Sequence, residues 1–135
     1  QEKSKSNRLS TIHRLFVDYL REYAKAENKT VFLTSHIIQD MERLIDDCII
    51  MDYGRILIQM PVDELLGKFR RYTGNVREGF DATIYNPSVM RSSLEAFSME
   101  PEEDVIKQLG ANGVKNIVAE RVSLEDAFIG LTGKY

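Results

Sequence analysis

His36 is the residue with the best-supported chemistry in this sequence. It follows Ser35 and the short apolar run Thr30–Thr34, which predicts a buried strand with a histidine at its carboxyl end. In an open α/β sheet, ligands bind at that end of the strands. A neutral imidazole accepts a hydrogen bond at one nitrogen and donates one at the other, so it can bridge a water molecule and an anionic group. A lone histidine without a surrounding motif is more often structural. Whether His36 is functional therefore depends on the sequence segment around it.

The other residues that could do chemistry have simpler explanations. His13 lies beside the apolar stripe of the first predicted helix, where a solvated or capping role is expected. Asp46 and Asp47 are adjacent near a predicted helix end, so their side chains point apart and do not form a catalytic pair. Cys48 precedes two isoleucines and is expected to be a small core residue. The two histidines have no cysteine cluster near them, and we therefore predict no metal site.

Composition limits the classes of function. The chain has 135 residues, of which 43% are hydrophobic and 29% charged, as in a globular protein of one domain or a truncated core with a small appended unit. Its 18 basic and 21 acidic residues give a net charge of -3, which argues against nucleic acid as a partner. No apolar run is long enough for a membrane span, so no direct membrane insertion is expected. The first residue is not Met, and we expect a segment of a longer protein.

The first half of the chain shows alternating helical and extended patterns. Apolar residues from Leu9 to Tyr23 recur at helical spacing and predict a helix, and the strand Thr30–Thr34 follows it. A second amphipathic helix is predicted over Ile37–Cys48. Two apolar runs around Asp52–Gly54 predict a hairpin, and Pro61 starts a short helix. This order is typical of an α/β core.

The second half has a weaker pattern. Between Arg70 and Pro87 the periodicity fades, and we place a domain boundary there. The predicted elements beyond it are a strand at 82–85, helices at 89–97 and 101–110, a strand at 116–119 and a helix capped by Ser123. Acidic residues at Glu102–Asp104 fit the positive amino end of the second of these helices and need no catalytic role.

Several of these segments match a known family. Thr30–Asp47 resembles the switch-histidine region of ABC ATPases, in which a buried strand ends in Ser-His and the next helix leads through an acidic turn toward an Asp. The hairpin Cys48–Ile58 and the segment Met60–Leu66 resemble the elements that follow in that family. Val122–Gly133 is similar to the terminus of ABC ATPases from bacterial export systems, which is a second, independent match. Residues 72–113 carry no recognisable motif.

The resemblance implies a function for the intact parent protein. In ABC ATPases the residue that matches His36 is catalytic and contacts the γ-phosphate of ATP, where it helps to orient the attacking water. ATP and Mg²⁺ are then cofactors of the parent, and a membrane permease subunit and a second ATPase subunit are its partners. The resemblance also implies a cytoplasmic protein, peripheral on the cytoplasmic face of the cell membrane, that couples ATP hydrolysis to transport, with export as the expected direction.

The chain departs from the family in ways that bear on activity. It has no Gly-x-x-x-x-Gly-Lys-Ser/Thr phosphate loop, no Leu-Ser-Gly-Gly-Gln-like signature and no apolar strand ending in Asp-Glu. Without the backbone amides that hold phosphates, these 135 residues alone are expected to bind no cofactor and to be inactive.

The predicted fold class is therefore α/β. Residues 1–71 are expected to be the carboxy-terminal portion of a P-loop NTPase-like ABC ATPase core, and residues 72–135 a small α+β accessory region. An alternative function stays open, in which the chain is a non-enzymatic regulatory or dimerisation module that binds a protein partner or a small ligand.

Overall fold

The computed structural model describes residues 2–34, 38, 41–81 and 83–133. In the described part the chain is mixed α/β, with four helices and two antiparallel sheets. It divides into two compact units, Gln1–Asp47 and Cys48–Tyr135. The predicted domain boundary at residues 71 and 72 lies inside a strand of the second unit, and it stays a prediction about the organisation of the parent protein.

The first unit is built on one long helix, α1 (Glu2–Ala26), as the apolar spacing predicted. The helix ends where Asn28 adopts a φ of 50°, and the amide of Lys29 donates to the carbonyl of Ala24 at 2.8 Å. Arg21 Nη1 donates to the carbonyl of Arg43 at 2.7 Å. This bond ties α1 to the turn at residues 41–44.

Two predictions for this unit are wrong. Residues 30–34 form no strand, because a strand needs a neighbour to accept and donate its backbone hydrogen bonds and none of the described residues of this unit provides one. The carboxyl end of the helix predicted over 37–48 is not helical either. There the amide of Leu44 donates to the carbonyl of Met41 at 2.9 Å in a turn, and β1 starts at Asp47.

The predicted hairpin is formed by β1 (Asp47–Asp52) and β2 (Arg55–Pro61), and from Cys48 onward it belongs to the second unit. Tyr53 and Gly54 have φ angles of 48° and 72°, which is the left-handed pair that a tight two-residue hairpin turn needs. The short helix α2 (Val62–Lys68) follows and buries Val62 and Leu65.

Four further strands form an antiparallel sheet in the order β4-β5-β3-β6. The bounds are β3 (Arg70–Asn75), β4 (Ser88–Met90), β5 (Ser93–Ser98) and β6 (Lys115–Arg121). β3 lies in the centre, with Tyr72 opposite Ala96 on one side and opposite Ala119 on the other. The helices are α3 (Glu102–Ala111) and α4 (Leu124–Thr132). The predicted helix after Pro101, the strand near 116 and the final helix are thus confirmed.

The structure corrects the sequence analysis between residues 70 and 98. The predicted helix over 89–97 is wrong, because this segment is the hairpin of β4 and β5, in which Leu94 and Ala96 are buried on one face. The predicted strand at 82–85 is also wrong. Its described residues lie in a turn in which the amide of Asn86 donates to the carbonyl of Thr83 at 3.2 Å.

The core of this unit lies between one face of the sheet and α3. Tyr72, Val105 and Leu109 are fully buried there. Gly74 lies on the same face, where a Cβ would collide with Cγ1 of Val114 and lie 3.1 Å from the carbonyl oxygen of Lys115. The alternate residues of β3 and β5 therefore face away from α3.

Candidate functional site

The predicted catalytic residue, His36, lies outside the described residues, so its role stays a prediction. The described residues on its amino-terminal side, Phe32 and Leu33, are exposed, whereas Met41 on the other side is buried. His13 lies within α1.

The helix α1 carries one apolar stripe along its length. It includes Phe16 and Tyr19, whose side chains are 56% and 66% exposed. Val17 lies beside this stripe and is buried. An apolar stripe on a surface helix normally faces a core. The described residues thus leave the apolar stripe of α1 uncovered.

The other candidate residues have structural roles. Cys48 is buried in β1, as predicted for a small core residue. The hydroxyl of Ser123 accepts from the amide of Asp126 at 3.1 Å and so caps α4, as predicted. Glu102–Asp104 form the first turn of α3. Across the described ranges, no group of three or more His, Cys, Asp or Glu residues is placed to hold a metal ion.

The terminal motif Val122–Gly133 is explained by packing. Leu124 and Ala127 of α4 are buried, and Gly130 lies against the rings of Phe97 and Phe69. These two rings stack with centroids 5.8 Å apart. The motif therefore fixes α4 on the end of the sheet next to α2, and its residues perform no chemistry that the structure reveals.

The sheet face opposite α3 is only partly covered. Arg71 Nη2 contacts Glu120 Oε2 at 2.9 Å across β3 and β6, and this hydrogen bond raises the pKa of Arg71. The pair is partly exposed, so its contribution to stability is small. Beyond Arg71, toward the end of β3 from which the chain leads on to β4, this face has a hollow of about 450 Å³. The sequence analysis did not predict this hollow.

Two tyrosine hydroxyls on the α3 side are buried, those of Tyr72 and Tyr85. The hydroxyl of Tyr72 has no hydrogen-bond partner among the described residues, and that of Tyr85 lies near the carboxylate of Glu100. Burial, together with the nearby carboxylate of Glu100, raises the pKa of Tyr85 to about 12. Burial also raises the pKa of Tyr72.

These pKa shifts predict a loss of stability in strong alkali. The folded state holds the Tyr85 proton more tightly than the unfolded chain, whose tyrosines titrate near 10, so the free energy of unfolding should fall as the pH rises from about 10 to about 12. Tyr85→Phe should make this fall shallower. Urea unfolding of both proteins at a series of pH values measures the effect, and equal slopes would contradict it.

Comparison with known proteins indicates the class of protein to which this chain is similar. No family model matches the chain. Curated proteins that do match it are ATP-binding proteins of export and transport systems, and they support its assignment as an ABC ATPase-like fragment. The structure contains no helix in its described part that is long and apolar enough to cross a membrane.

Two particular relatives define the similarity. The Nod factor export ATP-binding protein I of Sinorhizobium fredii is 28% identical over 120 residues, which covers 81% of this chain and 34% of that protein. The bacitracin transport ATP-binding protein BcrA of Bacillus licheniformis is 29% identical over 132 residues, or 84% of this chain and 42% of that protein. The chain thus spans between a third and a half of the relatives it matches.

Proposed function

We propose that the chain is the carboxy-terminal part of the ATP-binding subunit of an ABC exporter. The similarity to the Nod factor and bacitracin transport proteins over four fifths of the chain carries this proposal. The family-like segments around His36 and at Val122–Gly133 support it from the sequence. In this proposal the complete subunit works on the cytoplasmic face of a membrane with a permease subunit and a second ATP-binding subunit.

ATP and Mg²⁺ would be bound by the complete subunit. The residues of this chain do not by themselves fit a nucleotide, because the sequence has no phosphate loop and the described carboxylates form no metal-binding group. We therefore assign to this chain one contribution to the site, the imidazole of His36, and no metal ligand.

The exposed stripe of α1 supports the proposal from the structure. In a complete subunit the apolar side chains of Ile12, Phe16 and Tyr19 would pack on the part of the subunit that this chain lacks. The burial of three such side chains contributes roughly 2 kcal/mol each. Among the described residues of the first unit Val17 and Met41 are buried, and this contact would enlarge that small core.

ATP hydrolysis by the complete protein tests the proposed function. We expect the complete subunit to hydrolyse ATP only with Mg²⁺ and the 135-residue chain to bind no nucleotide, as measured by phosphate release and by fluorescent-nucleotide binding. A complete protein whose sequence contains no phosphate loop, or that fails to bind ATP, would overturn the proposal.

The alternative, a regulatory or dimerisation module, is favoured by one observation. The second unit has its own core around Tyr72 and Leu109, both fully buried, whereas the first unit has Val17 and Met41 as its buried apolar residues among those described. The two functions are compatible, since an ATP-binding subunit can carry such a module.

Limited proteolysis of the chain should show this difference in stability. Trypsin is expected to cut after Lys29 and Arg43 earlier than after Arg71 or Lys115, because the latter two lie in paired strands of the sheet. Mass spectrometry of a time course identifies the cuts. Cleavage within β3 and β6 at the same rate as in the first unit would show that the second unit is not independently stable.

A further inference from the structure

The carboxyl end of α3 carries a dipeptide whose two residues can react with each other. Asn112 and Gly113 form the one Asn-Gly pair in the sequence, and both residues are exposed. In such a pair the backbone nitrogen of the glycine attacks the side-chain amide carbon of the asparagine, because the glycine has no side chain to hinder the approach. The reaction needs only water, so its rate depends on whether the fold lets the two groups meet.

The structure holds both reacting groups in other contacts. Asn112 Nδ2 donates to the carbonyl of Gln108 at 2.8 Å. The amide of Gly113, which is the attacking group, donates to the carbonyl of Gly110 at 3.1 Å. The ψ angle of Asn112 is 4°, which turns the nitrogen of Gly113 toward the backbone nitrogen of the asparagine and away from its side chain. Ring closure therefore requires rotation about this bond and loss of both hydrogen bonds.

This helix end is anchored in the core of the second unit. Gly113 has a φ of 95°, and the amide of Val114 donates to the carbonyl of Leu109 at 3.1 Å. Together with the bond from Gly113 to Gly110, this is the Schellman arrangement of a helix end. Leu109 and Val114 are both buried in the same hydrophobic cluster. The end of α3 can therefore open only when Val114 loses its place in the core.

We propose that Asn112 is a deamidation site that the Schellman end of α3 keeps closed. When this end opens, the backbone nitrogen of Gly113 bonds to Cγ of Asn112, and the side-chain NH2 leaves as ammonia with the proton of that nitrogen. Water then adds across one of the two C–N bonds of the succinimide ring and gives aspartate or isoaspartate. This inference goes beyond the proposed ATPase role and does not depend on it.

Either product disfavours the closed helix end. A carboxylate at position 112 cannot donate to the carbonyl of Gln108, and its charge lies at the negative end of the α3 dipole. Isoaspartate also adds a methylene group to the main chain within the capping turn. Deamidation therefore loosens the end of α3, the helix that buries Val105 and Leu109.

Peptide mass spectrometry of the 135-residue chain during incubation at mildly alkaline pH tests the site. In chain unfolded by guanidinium, Asn112 should convert faster than the other asparagines. In folded chain its conversion should be at least about tenfold slower, because the closed helix end has to open first. No conversion at Asn112 in the unfolded chain would show that it is not a site. Equal rates in the folded and unfolded chains would show that the fold does not protect it, and either result would overturn the proposal.

Two valine variants test whether the helix end controls the rate. Val114→Ala removes part of the contact that anchors this end, so the folded variant should deamidate at Asn112 about three- to tenfold faster than the wild type. Its rate in guanidinium should be unchanged. Val118→Ala makes the same truncation at a half-exposed position of β6 and should keep the wild-type rate. Circular dichroism shows whether each variant is folded. A folded Val114→Ala chain that deamidates at the wild-type rate would disprove control by the helix end.

Discussion

His36→Ala in the complete subunit is expected to lower ATP turnover by about a hundredfold, which is typical when one positioning group is removed from a site where charge develops. In the proposed role the imidazole accepts a hydrogen bond from the attacking water and donates one to the γ-phosphate, so its loss would raise the barrier to hydrolysis. In the proposed complete subunit a phosphate loop would supply most of the affinity for nucleotide, so this affinity should not change. Steady-state phosphate release and nucleotide binding measure the two effects separately.

His13→Ala is the matched control for this experiment. It removes the other histidine of the chain from within α1, and the same assays should give wild-type turnover. If the two variants lose turnover equally, the loss is caused by impaired folding and not by removal of a catalytic group. Wild-type turnover in the His36→Ala protein would disprove the assignment of His36 as catalytic, even if the subunit is an ATPase.

Gly130→Ala should give the largest change in stability among single-methyl substitutions in α4. A Cβ at this position would lie 2.8 Å from the ring of Phe97 and 3.0 Å from that of Phe69, and these stacked rings leave each other little room to move. The substitution should therefore push α4 off the sheet end, despite the higher helix propensity of alanine.

Gly110→Ala provides the comparison, because it makes the same change in α3 at a position where a Cβ meets nothing within 4 Å. Here alanine should stabilise the protein by about 0.5–1 kcal/mol through helix propensity alone. We expect the free energies of unfolding of the two variants to differ by about 2–3 kcal/mol. Urea unfolding followed by circular dichroism measures this difference, and equal stabilities would show that α4 is not packed as described.

Part of the fold could be predicted because its signals are local. The apolar spacing of α1, the Asp52–Gly54 turn and the Ser123 cap each depend on neighbours in sequence, and all three are present in the structure. The strands β3 and β5 could not be predicted in the same way. Leu94 and Ala96 alternate over too short a stretch to reveal a strand, and only pairing with β3 makes them one.

At Thr30–Thr34 the sequence predicted a strand that the structure does not contain. Its β-branched, apolar residues predict a strand, but strand formation also requires a pairing partner, and the described residues of its unit supply none. The same segment leads to His36, so the local strand that would position this histidine depends on contacts outside the described residues.

The sequence by itself determined the family resemblance, the segment that carries His36, the hairpin and the capped final helix. The tertiary structure decided that residues 88–90 and 93–98 are strands, that Gly130 is a packing residue and that a hollow lies on the open face of the sheet. The reason is physical. Caps, turns and helical stripes are set by residues a few positions apart, whereas sheet pairing and the shape of its faces arise from residues such as Thr73, Glu95 and Asn116 that are distant in the chain.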